Sequence, residues 1–145
     1  ILWVDDEIEL LKPHVLFLRG KGYEVDTCNN GYDAIDMATE GSYDLIILDP
    51  PAFAKHKNVL RNALQGYRKL NAIAFEKIKP GGILFTFSCS QVVSKENFRL
   101  AVFSAAAQSG RSVRILHQLT QPADHPINIY HPEGEYLKGL VLYVE

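Results

Sequence analysis

Three aspartates stand where short apolar runs end: Asp5 and Asp6 after ILWV, and Asp49 after DLIIL. Carboxylates gathered in one pocket repel each other unless a cation or a proton neutralises them. Hard oxygen ligands with water suit Mg2+, so Asp5, Asp6 and Asp49 together predict a Mg2+ site. A simpler alternative stays open, in which Asp5 caps the following turn and Asp6 lies in its first residues. The second chemical group is SCS at 88–90, again at the end of an apolar run. A strand-end thiol near positive charge is a candidate activated nucleophile, although a free cysteine is more often a small buried hydrophobe. Pro50 and Pro51 follow Asp49 directly, and Ser88 and Ser90 flank Cys89. Asp124, His125, His131 and Glu133 share one proline-containing stretch whose spacing matches no metal signature.

The elements that would position these groups follow from hydrophobic period. Strands are expected at 1–4, 23–28, 44–49, 82–89, 112–119 and 137–144. Helices are expected at 7–19, with Ile8, Leu11, Val15 and Leu18 inward, and at 32–40. Two more are expected at 57–79, carrying Leu60, Leu64, Tyr67, Ala74 and Ile78, and at 94–109, carrying Phe98, Val102, Ala105 and Ala106. Pro13 demands either an irregular first turn or a kink, and KPGG at 79–82 should end the third helix. The order βαβαβαβαββ predicts a doubly wound, three-layer α/β/α sandwich. Without a helix between them, the last two strands should be antiparallel. In such sheets the site lies beyond the carboxyl ends of the strands, where Asp5, Asp6, Asp49, Pro50, Pro51, Ser88, Cys89 and Ser90 fall.

The chain has 145 residues, 47% hydrophobic and 22% charged, which suits one globular domain over 1–145 and excludes a disordered or collagenous chain. It has no apolar run of membrane-spanning length. With no secretory signal visible, a cytoplasmic location with reduced Cys28 and Cys89 is expected. Residues 1–49 carry three basic and eleven acidic residues, net −8, while 50–145 carry twelve basic and six acidic, net +6. The basic residues Lys55, Lys57, Arg61, Arg68 and Lys69 read as a solvated helix face, and the acidic half would repel phosphates, which argues against a nucleic-acid partner.

Residues 1–49 resemble the first half of a response-regulator receiver domain, through ILWVDDE, KGYEVDTCNNGYDAID and YDLIILD. That resemblance implies Asp49 as phospho-acceptor, Asp5 and Asp6 as Mg2+ ligands and the Pro51 backbone carbonyl as a further ligand. A histidine kinase or small phosphodonor would supply the phosphoryl group. DPPAFAK replaces the usual Met-Pro turn, Ser88 or Thr86 would stand for the switch hydroxyl, and residues 112–119 contain no lysine.

Residues 44–145 resemble the carboxyl-terminal half of a class I S-adenosylmethionine-dependent methyltransferase. The match is to the family that makes 5-methylcytosine in large-subunit ribosomal RNA. DLIILDPPAFAK, KPGGILFTFSCS and PEGEYLKGL carry it. It implies Cys89 as the nucleophile that adds to cytosine C6, with Asp49, Pro50 and Pro51 beside the base. A glycine-rich turn after the first strand is missing, since no glycine precedes Gly20, and this argues against S-adenosylmethionine.

YDLIILD belongs to both resemblances. Joining them there predicts the sheet order 2-1-3-4-6-5 with strand 6 antiparallel. The halves would be 1–49 and 50–145, with a junction near 44–51. The expectation is an engineered chimeric domain without complete inherited activity, keeping a receiver-like acidic Mg2+ and phospho-acceptor pocket. A functional phosphorelay receiver is the first alternative. An RNA cytosine-C5 methyltransferase with an atypical cofactor site is the second. The oligomeric state is left open.

Overall fold

ILWV and YDLIILD are apolar runs of strand length and form adjacent parallel strands, as buried runs of this kind do. The computed structural model describes residues 1–30, 42–53 and 59–145. Its strands are β1 (Leu2–Asp5), β2 (Asp26–Cys28), β3 (Tyr43–Asp49), β4 (Ile78–Ser88), β5 (Val113–Leu119) and β6 (Lys138–Val144). They form one sheet in the order β2-β1-β3-β4-β6-β5. β6 runs antiparallel to both β4 and β5. This is the expected order and polarity. β3 pairs with β1 on one side and β4 on the other, with a register shift against β4 between Tyr43 and Leu45, and ends at Asp49.

The described helices are α1 (Lys12–Gly20), α2 (Leu60–Lys77) and α3 (Lys95–Ser109). The expected helix at 32–40, together with Lys55 and Lys57, lies outside the described residues. A short 3-10 turn, Ile8–Leu11, precedes α1, and Pro13 sits in the first turn of α1. There its missing N–H costs nothing, so the chain takes the irregular start rather than the kink. α3 begins at Ser94, whose Oγ accepts from Asn97 N at 3.1 Å, a cap that contributes about 1 kcal/mol. It ends at Gly110, φ 68°, a left-handed position that suits glycine.

KPGG does not end α2 in a loop. Ile78 turns to ψ 137° and the chain passes straight into β4, which contains all four residues. Arg111 makes this abrupt exit stable. Its Nη1 donates to the Phe75 carbonyl at 2.9 Å and the Ile78 carbonyl at 3.2 Å, and its Nε donates to the Glu145 carbonyl. Helix-end carbonyls that would otherwise lack partners are thereby satisfied.

α2 and α3 cover one face of the sheet. Leu2, Val4, Ile46, Leu48 and Leu84 pack there against Tyr67, Phe75 and Phe98. Each such fully buried side chain contributes roughly 1.5–3 kcal/mol. α1 covers the other face through Ile8, Val15 and Val25, with Trp3, Leu11 and Leu18 around them. All four residues expected on the inner face of the first helix belong to that cluster. In α2, Tyr67 and Ala74 of the expected stripe are buried, joined by Ala63, Leu70, Ala72 and Phe75. The layering brings the carboxyl ends of the parallel strands to one edge of the sheet, where the polar groups collect.

Candidate functional site

β1 and β3 are in register at their ends, with Asp5 opposite Asp49. Asp5 is buried, and its Oδ1 accepts from Glu7 N at 2.9 Å. Burial raises its carboxyl, the Glu7 N–H opposes this, and the Asp6 charge raises it further. Asp49 is half-buried. Loss of water, then the negative charges of Asp5, Asp6 and Glu7, push its carboxyl up to about 6. The strand-end carboxylates therefore do share one electrostatic field.

The expected Mg2+ site calls for a group of three such side chains. Among the described residues, no three His, Cys, Asp or Glu side chains are placed to hold a metal ion. The reason is local. Asp5 Oδ1 closes a turn on the Glu7 N–H, while the 3-10 turn that follows starts at Glu7 with no side-chain cap. Asp6 instead borders a cleft of about 320 Å3 at the ends of β1, β2 and β3. Asp5 and Asp49 thus end paired strands, while Asp6 and Pro51 border the cleft. Asp124–His125 at 3.5 Å and His131–Glu133 at 3.2 Å are local pairs in the β5–β6 loop.

The cleft is bordered by Val4, Pro50, Pro51, Phe53, Leu70 and Ile73, with Asn29, Asn30, Asp6 and Lys69 as its polar members. Its lining is therefore apolar with a few polar groups, the usual character of a small-molecule site. Phe53 is 39% exposed. It lies against Tyr67 with ring centroids 4.7 Å apart. Phe85 and Phe87 are half-buried on the opposite face of the sheet.

At the end of β4, Ser88 is fully buried and its Oγ donates to the Tyr67 hydroxyl at 2.9 Å. The Ser90 N–H donates to Ser88 Oγ at 3.4 Å. Ser88 and the buried Thr86 are therefore part of the helix-facing core, not hydroxyls held out toward a phosphoryl group. Cys89 between the serines is half-buried and free. Burial pushes its thiol up, the Asp49 charge adds to this, and Lys138 opposes it. Positive charge does stand near the thiol as expected, but burial outweighs it, and the resting group is a thiol.

Two residues that sequence reasoning missed complete the site. Tyr67 buttresses the SCS turn from α2. Lys138 reaches it from β6, donating to the carbonyls of Ser90 and Val93. A lysine heading the otherwise apolar strand KGLVLYV is the signal that could have marked it.

No family model matches the chain. A 100-residue segment is 50% identical to Ribosomal RNA large subunit methyltransferase I of Tolumonas auensis, covering 69% of this chain and 25% of that protein. The chain thus spans about a quarter of the length of this curated relative. A protein described as a methyltransferase, solved in complex with SAH, matches with TM-score 0.65 and 22% identity, over 83% of this chain and 31% of that one. A methyltransferase homolog from Pyrococcus horikoshii matches with TM-score 0.59 and 18% identity, over 99% of this chain and 52% of that one.

These similarities overturn the expectation of an engineered chimera with a receiver-like phospho-acceptor pocket, and with it the phosphorelay alternative. The relative is named a ribosomal RNA methyltransferase, the two fold neighbours are described as a methyltransferase and a methyltransferase homolog, and the Pyrococcus likeness of fold runs through both expected halves. They also overturn the expectation against S-adenosylmethionine, since a neighbour with this fold holds SAH. The expectation against nucleic acid meets a relative named for ribosomal RNA. No helix among the described residues is long and apolar enough to cross a membrane. A segment of this chain resembles a ribosomal RNA methyltransferase, and the chain has a Rossmann-like methyltransferase fold.

Proposed function

We propose that the chain is the base-binding and nucleophile portion of an RNA cytosine-C5 methyltransferase. The observation that carries this reading is the convergence of Asp49-Pro50-Pro51 and Ser88-Cys89-Ser90 at one sheet edge, Asp49 and Cys89 feeling each other's charge. Cys89 Sγ adds to C6 of the target cytosine, which makes C5 nucleophilic. Its thiol must first lose a proton that burial and Asp49 hold on it. Asp49, with a carboxyl near 6, exchanges protons close to neutral pH, as an acid–base group should. It is suited to place a proton on cytosine N3 as Sγ adds. Tyr67 and Ser88 hold the turn beneath the thiol. Loss of the C5 proton after methylation expels Cys89 and restores the aromatic ring.

S-adenosylmethionine supplies the methyl group in this chemistry. The cleft fits its parts. Val4, Pro50, Phe53, Leu70 and Ile73 offer apolar surface for the purine, and Asn29 and Asn30, joined by a 2.8 Å bond from Asn30 Nδ2 to Asn29 Oδ1, form the polar border nearest the ribose. The crowded negative charge of Asp5, Asp6 and Glu7, visible in the raised Asp49 carboxyl, suits a sulfonium and an ammonium. The glycine-free stretch between Asp5 and Gly20 leaves this cleft, rather than a glycine-rich turn, to hold the nucleoside.

The test is a covalent trap. The chain is incubated with S-adenosylmethionine and an RNA carrying 5-fluorocytosine, whose C5 cannot lose fluorine as a proton. A denaturant-stable protein–RNA adduct is expected from the native chain and none from Cys89→Ala. No adduct from a folded native chain, or an equal adduct from Cys89→Ala, would refute the reading.

A further inference from the structure

Lys138 is 6% exposed. It stands opposite Ser88 in the β4–β6 ladder. Its Nζ donates to the Val93 carbonyl at 2.8 Å and to the Ser90 carbonyl. These acceptors lie on the turn that carries Cys89, 45 and 48 residues away in the chain. A buried ammonium is costly even when hydrogen-bonded, and an apolar residue would suit the head of this strand better for stability alone. The charge therefore stands where stability does not ask for it.

We propose that Lys138 is a positioning residue for Cys89: anchored on the Ser90 and Val93 carbonyls, it fixes the turn that presents the thiol and supplies the positive charge that favours its thiolate. This rests on the reading of Cys89 as nucleophile. The charges acting on Cys89 come from several elements. Asp49 at the end of β3 and Asp6 after β1 disfavour the thiolate, and Lys138 on β6 favours it. Tyr67 of α2 lies close enough to feel the same thiol. Burial disfavours Lys138 as a cation, Cys89 opposes this, and Lys95 at the head of α3 adds to it, so its ammonium is held below the ordinary value. Lys95 is itself paired with Glu135. The acidic surroundings explain why a cation is needed. Burial and two carboxylates leave the resting group a thiol, and the Lys138 charge opposes them.

The experiment measures iodoacetamide alkylation of Cys89 against pH, resolved from Cys28 by peptide mass spectrometry, in folded native chain, Lys138→Met, Lys138→Gln and Lys138→Arg. Gln keeps amide donors for the two carbonyls but removes the charge, and Arg keeps the charge. The midpoint is expected to rise in the Met and Gln variants, because Lys138 is the charge that lowers it. Their rate near pH 7 should fall severalfold, because the thiolate fraction shrinks and the greater nucleophilicity of a less acidic thiol offsets only part of the loss. Lys138→Arg should keep the native midpoint. A merely structural role would move the melting temperature and leave the midpoint of a folded variant unchanged. An unchanged midpoint in Lys138→Gln therefore overturns the proposal. Alkylation needs neither RNA nor methyl donor, so a native chain that shows the Lys138-dependent midpoint but traps no 5-fluorocytosine RNA would sink the nucleophile reading and leave the charge coupling standing.

Discussion

Replacing Asp49 by Asn should stabilise the chain at neutral pH. The native carboxyl titrates near 6 against an ordinary value of 3.8, a rise of about two units. At 1.36 kcal/mol per unit, ionising Asp49 costs the native state at most about 3 kcal/mol relative to the unfolded chain. Asp49 is only half-buried, and solvent screening brings this to about 1–2 kcal/mol. The sign follows from proton linkage. Between about pH 4 and 6 the native state binds the proton more readily than the unfolded state, so stability falls as pH rises through that window. Above it the deficit is constant, and below about pH 4 it is absent. Asn carries no such penalty. For a chain of this size 1–2 kcal/mol is roughly 3–6 °C in melting temperature. Calorimetric scans of both proteins at pH 7.5 and at pH 4 test it, with the variant expected to melt higher at pH 7.5 and the gap to close at pH 4. An equal gap at both pH values would show that charge is not the cause. A lower-melting variant at pH 7.5 would show that Asp5, Asp6 and Glu7 do not press on Asp49 as the structure implies. The same substitution should lower the alkylation midpoint of Cys89, because Asp49 is a negative charge acting on it. Higher stability bought with lost methyl transfer is the usual trade at a strained site.

Two further outcomes test the frame that holds the site. Gly82→Ala would place its Cβ 2.8 Å from the Lys79 carbonyl oxygen and 3.0 Å from that of Asp44. Since backbone must move, a loss of about 2 kcal/mol is expected in urea unfolding, and an unchanged midpoint would mean that β3 and β4 separate freely there. Arg111→Met removes the donors to Phe75, Ile78 and Glu145. It should cost about 2 kcal/mol and speed hydrogen exchange at the last turn of α2, whereas native exchange rates there would show that Arg111 does not hold the helix end.

The order of strands and helices is legible in the sequence because apolar period is a local property, read one element at a time. The apolar run of β3 and the inner face Ile8, Leu11, Val15 and Leu18 therefore reappear where expected. Asp49 and Cys89 are legible as chemistry because each closes an apolar strand and must emerge at the sheet edge. Their state is not. Whether Asp5 ligates or caps depends on where the Glu7 N–H comes to lie, and whether Cys89 is thiol or thiolate depends on the sum of burial and the charges of Asp49, Asp6 and Lys138. KPGG reads as a helix stop in isolation, yet the chain is already in β4 there, where the β3 ladder passes by an irregularity from Ile78 to Ile83 and Gly82 pairs instead with Val144 of β6. Lys138 shows the limit most plainly. Its carbonyl partners lie more than forty residues away in the chain, and only the antiparallel return of β6 beside β4 brings them together. Sequence determines which groups arrive at the edge of the sheet. Tertiary structure decides how they are charged, because desolvation and Coulomb forces act through space and not along the chain.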